Sequence, residues 1–218
     1  MPTVYSYYEQ VEGRPKPDKL LDLWRRSWEA QGWETKVLSE SDARSHPAFG
    51  AFSDRIRQFS TVNPPGYERA CYIRHLAMAN QADEGPMLML DYDVLLNPAG
   101  PKFTLPPQVD GPAILEPTRV PCMVLADVDG FMDICDILVS YQQKYGENHV
   151  SDMTILRKSS VRVAPGCVEH LDSGRPIVDD PGDGWKTAPA IHFSSFSFSK
   201  LGWRGDKADL IQRVLASL

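Results

Sequence analysis

The chain has 218 residues, with 23 Lys and Arg against 29 Asp and Glu and a formal charge of −6. That mildly acidic balance lacks the basic stripe of a general nucleic-acid binder, so nucleic acid is not an expected partner. The start Met1-Pro2-Thr3-Val4-Tyr5 has no charged leader ahead of an apolar run, and no segment reaches the roughly 18 apolar residues of a membrane span, which points to a soluble cytoplasmic protein without a transmembrane segment. The length suits one α/β domain. Four cysteines, Cys71, Cys122, Cys135 and Cys167, form no C-x-x-C pair, so buried reduced thiols are expected rather than zinc or a disulfide framework.

In chain order, Thr3-Val4-Tyr5-Ser6-Tyr7-Tyr8 is rich in β-branched and aromatic residues and reads as the first strand. If that strand is central, its end borders a ligand crevice where Tyr5, Tyr7 or Tyr8 can stack on a base; packing is the competing role for such residues. Pro17 and Asp18 open a helical pattern through Leu20, Leu21, Leu23, Trp24 and Trp28 that stops at Gly32, the expected C′ residue. Trp33 to Leu38 follows as a second strand, completing a βαβ unit with a right-handed parallel crossover. Short helices over Ser39–Arg44 and Ala51–Phe59 then form a flap or an acceptor-side insertion. Gly66 to Asn80 is helical by propensity, with Ala70, Ile73, Ala77 and Ala79 suited to a packed face. Arg69 and Arg74, five apart on it, point in different directions, and one can reach over the sheet's end toward a sugar or phosphate. A surface ion pair competes with that role, more strongly for Arg69 than for Arg74.

The next stretch, Pro86-Met87-Leu88-Met89-Leu90-Asp91-Tyr92-Asp93-Val94-Leu95-Leu96, is the one the chain is organised around. Its apolar run is too short for a membrane and bounded by Gly85-Pro86, as in a strand buried on both faces of a parallel sheet. Carboxylates where such a strand ends face the crevice, and on an extended chain Asp91 and Asp93 share one face. Two adjacent like charges call for a cation between them, and a hard divalent ion such as Mn²⁺ or Mg²⁺ leaves positions open for phosphate oxygens. Solvated turn aspartates are the alternative.

Prolines punctuate the chain from Pro98 to Pro121. Ala113–Glu116 and Met123–Ala126 read as short strands beside the central one, Phe131–Tyr145 as a helix, and Ser151 or Asp152 as the cap of another. Val161–Val163 and Ile177-Val178 are expected strands, and Asp179 to Gly184 is an acidic loop. In Pro189 to Trp203, His192 ends a strand from which a neutral imidazole can complete a metal site begun by two carboxylates, and Lys200 follows within reach of phosphate.

Together these residues resemble the GT-A glycosyltransferases that carry a D-x-D motif, especially the glycogenin-like and bacterial galactosyltransferase-like branch. Tyr72-Ile73-Arg74-His75-Leu76 with Leu88-Met89-Leu90-Asp91-Tyr92-Asp93-Val94 is similar to that group's arginine helix and Y-L-D-x-D-V strand; His192 to Trp203 is similar to its H-x-x-G-x-x-K-P-W loop, and Ser151 to Leu156 to its N-D-Q-x-I-L segment. The loop is two residues longer here and lacks the family glycine and proline, and Met153 replaces an amide. The resemblance implies a single Rossmann-like GT-A domain over 1–218, with a mainly parallel central sheet flanked by helices and a small antiparallel sheet. Residues 1–100 would form the donor half, and 101–218 the acceptor half with the C-terminal metal and diphosphate loop. It implies Mn²⁺ or Mg²⁺ on Asp91, Asp93 and His192, donor contacts from Tyr5, Ser6, Tyr7, Tyr8, Arg69, Arg74, Asp91, Tyr92, Asp93 and Lys200, and a catalytic Asp152 near the anomeric carbon. The implied reaction is hexosyl transfer from a nucleotide-sugar, a UDP-hexose by family habit, to a hydroxyl of a glycan or other acceptor, with the stereochemical outcome open.

Two alternatives stand beside it. Leu90-Asp91-Tyr92-Asp93-Val94 can be the nucleophile motif of a haloacid-dehalogenase-like phosphatase, with Asp179-Asp180 as a late metal pair, although that motif normally opens its domain. The chain can equally be a non-catalytic nucleotide-sugar or glycan-binding module that keeps the fold without turnover.

Overall fold

The computed structural model describes residues 1–12, 15–82, 85–106, 110–164, 167–170, 188–195 and 205–217. The described strands are β1 (Thr3–Tyr7), β2 (Glu34–Leu38), β3 (Met87–Leu90), β4 (Val94–Leu96), β5 (Ala113–Ile114), β6 (Met123–Ala126), β7 (Arg162–Val163), β8 (Val168–His170) and β9 (Ala190–His192). The described helices are α1 (Asp18–Glu29), α2 (Glu40–Arg44), α3 (Phe49–Ile56), α4 (Pro65–Ala79), α5 (Val128–Ser140), α6 (Asp152–Arg157) and α7 (Lys207–Ser217). The main sheet has six strands in the order β2-β1-β3-β6-β5-β7, and β4-β9-β8 form a second, smaller sheet.

In the main sheet β1 runs parallel to both β2 and β3, β6 is antiparallel to β3 and β5, and β7 is parallel to β5. The crossover from β1 through α1 to β2 is thus parallel, as the sequence pattern implies. In the small sheet β4 pairs antiparallel with β9, and β8 lies parallel to β9. β6 borders the central strand while β5 lies one strand further out. The expected strand at Ile177-Val178 falls outside the described residues.

Strand periodicity explains why β3 carries an unbroken apolar run. Met87 and Met89 join a core with Tyr72, Ile73, Leu76 and Phe131 under α4 and α5, whereas Leu88 and Leu90 join the opposite core with Trp24, Trp28, Trp33 and Phe103. A strand wedged between two cores has no solvent face on which polar residues can alternate. Tyr5 and Val4 divide between the same two cores. A third cluster seats α7 on the small sheet through Ala208, Leu210, Ile211 and Val214 against Leu20, Leu95, Ile191 and Phe193.

Three local expectations shift by a few residues. α1 ends at Glu29, and Gly32 adopts φ +85°, one position beyond the C′ site. There the missing Cβ lets the chain turn from α1 into β2. α5 begins at Val128 rather than Phe131, because Asp127 caps it by accepting the Gly130 N–H at 2.8 Å. It ends at Ser140, five residues short of the expected Tyr145.

Candidate active site

The chain turns sharply where β3 ends. Asp91, Tyr92 and Asp93 form a turn, closed by the Val94 N–H donating to the Asp91 carbonyl at 2.9 Å, and β4 then departs into the small sheet. This corrects the expectation that the two carboxylates share the face of an extended strand. They converge because the backbone folds over between two sheets.

The same turn brings in the C-terminal region. β4 pairs with β9 in a register that sets Val94 opposite His192, and the Phe193 N–H donates to the Asp93 carbonyl at 2.9 Å. His192, remote in sequence, therefore lands beside Asp93, with Nε2 3.4 Å from Asp93 Oδ1. One ligand atom from each of Asp91, Asp93 and His192 lies within 4.8 Å of the others. Two carboxylate oxygens and one imidazole nitrogen form a donor set that could hold a divalent cation. Asp93 Oδ1 is buried and receives no hydrogen bond, an acceptor that a cation would satisfy.

A second group of charges stands behind the first. Arg74, on α4, ion-pairs with Asp91 through one Nη and with Asp152 through the other at 2.7 Å. Asp152 also lies 3.2 Å from His75 Nε2 and accepts the Met153 N–H at 2.6 Å. Of the two candidate caps of α6, Ser151 takes the role by accepting the Thr154 N–H at 3.1 Å, so Asp152 is not consumed by capping. Burial pushes the Asp152 carboxyl up, but Arg74 and His75 outweigh it and hold the group below its ordinary range. Burial holds the His75 imidazole below its usual value, and its Nδ1 has no hydrogen-bond partner. Burial opposes ionisation of Asp93 as well, yet Lys207 and His192 leave its pKa well below the carboxylate range.

A cavity of about 280 Å³ opens over these charges, at the carboxyl ends of β1 and β3. Tyr7, Tyr8 and Glu9 line it at the β1 end; Tyr67, Ala70, Cys71 and Arg74 from α4; Asp91, Tyr92 and Asp93 from the turn. The four α4 residues follow i, i+3, i+4, i+7 spacing and share one face of the helix. Tyr8 meets Tyr92 edge-on, with ring centroids 6.1 Å apart.

The structure thus gathers Tyr7, Tyr8, Arg74, Asp91, Tyr92 and Asp93 on the cavity wall, with Asp152 and His192 in contact with that wall from behind. Tyr5, Ser6 and Arg69 are placed elsewhere. Tyr5 is a core residue with Lys36 over its ring, Ser6 is fully buried, and Arg69 pairs with Glu40 of α2 and with Ser53 of α3 at 3.4 Å. Lys200 and the acidic pair Asp179-Asp180 lie outside the described residues. Three contributors escaped the sequence reading: Tyr67, His75 and Lys207. The helical spacing from Tyr67 to Arg74 was a usable signal for the first. For Lys207 the signal was a cation in the first turn of a helix, where the macrodipole disfavours one unless a carboxylate waits nearby.

No protein-family model matches the sequence, and no curated protein matches it. Solved structures do. The chain superposes over its whole length on 96% of the galactosyltransferase LgtC, solved with donor and acceptor sugar analogues, at TM-score 0.51 and 13% identity. Over 90% of its length it superposes on 98% of mouse xyloside xylosyltransferase 1, at TM-score 0.51 and 8% identity. The chain has the GT-A fold. It also spans 65% of a Drosophila galactosyltransferase 7 mutant solved with manganese, UDP-Gal and xylobiose, but at TM-score 0.41, below the level of a shared fold. Within the GT-A fold the β3–β4 turn holds the D-x-D carboxylates at the strand ends of an α/β sheet, the position where such sheets bind ligands. Among the described residues no helix is long and apolar enough to cross a membrane.

Proposed function

We propose that the protein is a metal-dependent glycosyltransferase that moves a hexose from a nucleotide-sugar, with UDP-hexose the first donor to try, onto a hydroxyl of a glycan or other acceptor. The observation that carries this reading is the convergence of Asp91, Asp93 and His192 at the edge of the cavity, backed by the Arg74–Asp152 pair. Asp91, Asp93 and His192 would hold Mn²⁺ or Mg²⁺, which when bound offsets the charge that develops on the departing nucleoside diphosphate. LgtC, which shares the fold, was solved with donor and acceptor sugar analogues, in keeping with this reading.

The remaining roles belong to the chain's own side chains. Tyr7, Tyr8 and Tyr92 supply aromatic surface for the nucleoside, and Arg74 faces the cavity as a hydrogen-bond donor to the sugar. Asp152, fixed by Arg74 and His75, is the catalytic carboxylate. A group held below its ordinary pKa is a weak base, which favours stabilisation of an oxocarbenium-like sugar over abstraction of the acceptor proton. Among the described residues, all that line the cavity except Ser195 belong to 1–100, in keeping with a donor half there and an acceptor half in 101–218. Lys200 remains a proposed diphosphate contact.

The test is a panel of nucleotide-sugars incubated with protein and Mn²⁺, reading release of nucleoside diphosphate with and without candidate acceptors. Turnover with one donor, lost on chelation and in Asp93→Asn and Asp152→Asn, is the expected result. Tight donor binding without any turnover would instead make the protein a binding module, and no binding of any sugar nucleotide would end the reading altogether.

A further inference from the structure

We propose that Lys207 is an exchangeable counter-cation of the metal group: its ammonium neutralises Asp93 before the divalent ion arrives, competes with that ion for the carboxylate, and is turned toward the ion's anionic ligand once the ion binds. The inference rests on the metal site of the proposed function and adds a residue that neither the motif nor the resemblance supplied.

The placement of Lys207 follows from how α7 is docked. Ala208, Leu210, Ile211 and Val214 bury one face of the helix against Leu20, Leu95, Ile191 and Phe193, so the helix start is held over the β4/β9 pair. Asp206 accepts the Ala208 N–H at 2.8 Å, and Lys19 of α1 approaches Asp206 at 3.7 Å and Asp209 at 3.5 Å. From that fixed base the Lys207 ammonium reaches Asp93 Oδ2 at 2.6 Å and Ser195 Oγ at 3.4 Å. Its side chain is 23% exposed and that of Asp93 13%, so solvent screens the pair only in part.

Asp93 is therefore contested. Its Oδ1 faces His192 and its Oδ2 holds an ammonium. A divalent ion on Asp93 would place three positive charges on one carboxylate, and in a partly buried site that repulsion must weaken one of the two contacts. The stem of Lys207 is flexible, with four rotatable carbons, whereas three side chains would hold the ion, so the ammonium is the group that would move. A displaced ammonium beside a bound cation is well placed to pair with any anion the cation holds, and a diphosphate is such an anion. Linkage then requires metal and diphosphate to favour each other more strongly with Lys207 than without it.

The experiment is titration of the full chain with Mn²⁺ alone and then with Mn²⁺ in the presence of UDP, for wild type and Lys207→Gln, by calorimetry or Mn²⁺ resonance. Lys207→Gln is expected to bind Mn²⁺ alone about three- to tenfold more tightly, and UDP is expected to raise its Mn²⁺ affinity by a smaller factor than in wild type. A variant that binds Mn²⁺ no more tightly than wild type overturns the exchange while leaving the metal reading intact; Lys207 would then simply orient Asp93. If neither protein binds Mn²⁺, the metal reading fails and the exchange with it. If only the variant binds, Lys207 is a fixed counter-cation that the ion does not displace, which overturns the exchange. Reductive methylation of wild type, read by mass spectrometry, tests the same point without a substitution: Mn²⁺ should raise labelling of Lys207 relative to the other lysines, and unchanged labelling contradicts its release.

Discussion

Helix α4 carries two partly buried arginines whose surroundings are charge opposites. At Arg69 a single carboxylate, Glu40, sits between two guanidiniums, those of Arg69 and Arg44. At Arg74 a single guanidinium sits between two carboxylates, Asp91 and Asp152, with Asp93 beyond. The first cluster is complete in itself: Arg69 holds the Glu40 carboxyl below its usual range, and the pair ties α4 to α2. The second sets Asp91, Asp93 and Asp152 against Arg74, Lys207 and His192, whose imidazole Cys122 and Asp93 hold above its usual pKa against the cost of burial, next to a cavity. Arg74 lines that cavity and Arg69 does not, so access to the cavity is what separates the two arginines.

The largest expected effect comes from Arg74→Met, which leaves Asp91 and Asp152 without their shared cation. It should cost about 3–5 kcal/mol of stability in chemical denaturation, and Mn²⁺ should restore more of that loss than it adds to wild type. A variant as stable as wild type would mean the two clusters are not different in kind. Next, Asp93→Asn should lower donor turnover by at least about 100-fold, a floor taken from the loss seen when groups supporting a metal are removed, while the chain keeps its cooperative unfolding. The counterpart Arg69→Gln should cost about 1–2 kcal/mol, between the values for exposed and buried pairs, with kcat and metal affinity unchanged. Loss of turnover there would move Arg69 into the site.

The smallest effect is a pH slope. Because burial holds His75 below its usual value of 6.5, the folded chain stays neutral at that imidazole where the unfolded chain takes up a proton. Its contribution is therefore present above pH 6.5 and is lost as the pH falls below that value toward the depressed folded pKa, by about 1.4 kcal/mol for each unit of depression. Denaturation midpoints across pH 7 to 5 should fall less steeply in His75→Gln. Equal slopes would show that other groups carry the acid sensitivity in that window.

Much of the site was legible because its pieces are local. The apolar run ending in Asp91-Tyr92-Asp93 marks a strand buried on both faces and stopped by carboxylates, and that pattern needs no tertiary knowledge. The spacing of Arg69 and Arg74 showed that they point apart, since five residues on a helix turn through about 140°. It did not show which of them meets the cavity. That depended on where α2 lies, because Glu40 captures Arg69. Tyr5 was equally undecidable from its neighbours: alternation sends it to one face of β1, and only the packing of α4 and α5 makes that face a core.

By itself the sequence determined the β1-α1-β2 crossover, the double-sided burial of β3, a cap at Ser151 or Asp152 and the identity of the two clustered aspartates, all of which depend on residues within a turn or two of one another. Tertiary structure alone decided three things: that Asp91 and Asp93 converge through a turn, that the β4/β9 register delivers His192 to Asp93, and that α7 lowers Lys207 onto the same carboxylate. The last two contacts join residues about a hundred positions apart, and strand register and helix docking are set by the summed fit of whole faces, which no single stretch of chain encodes.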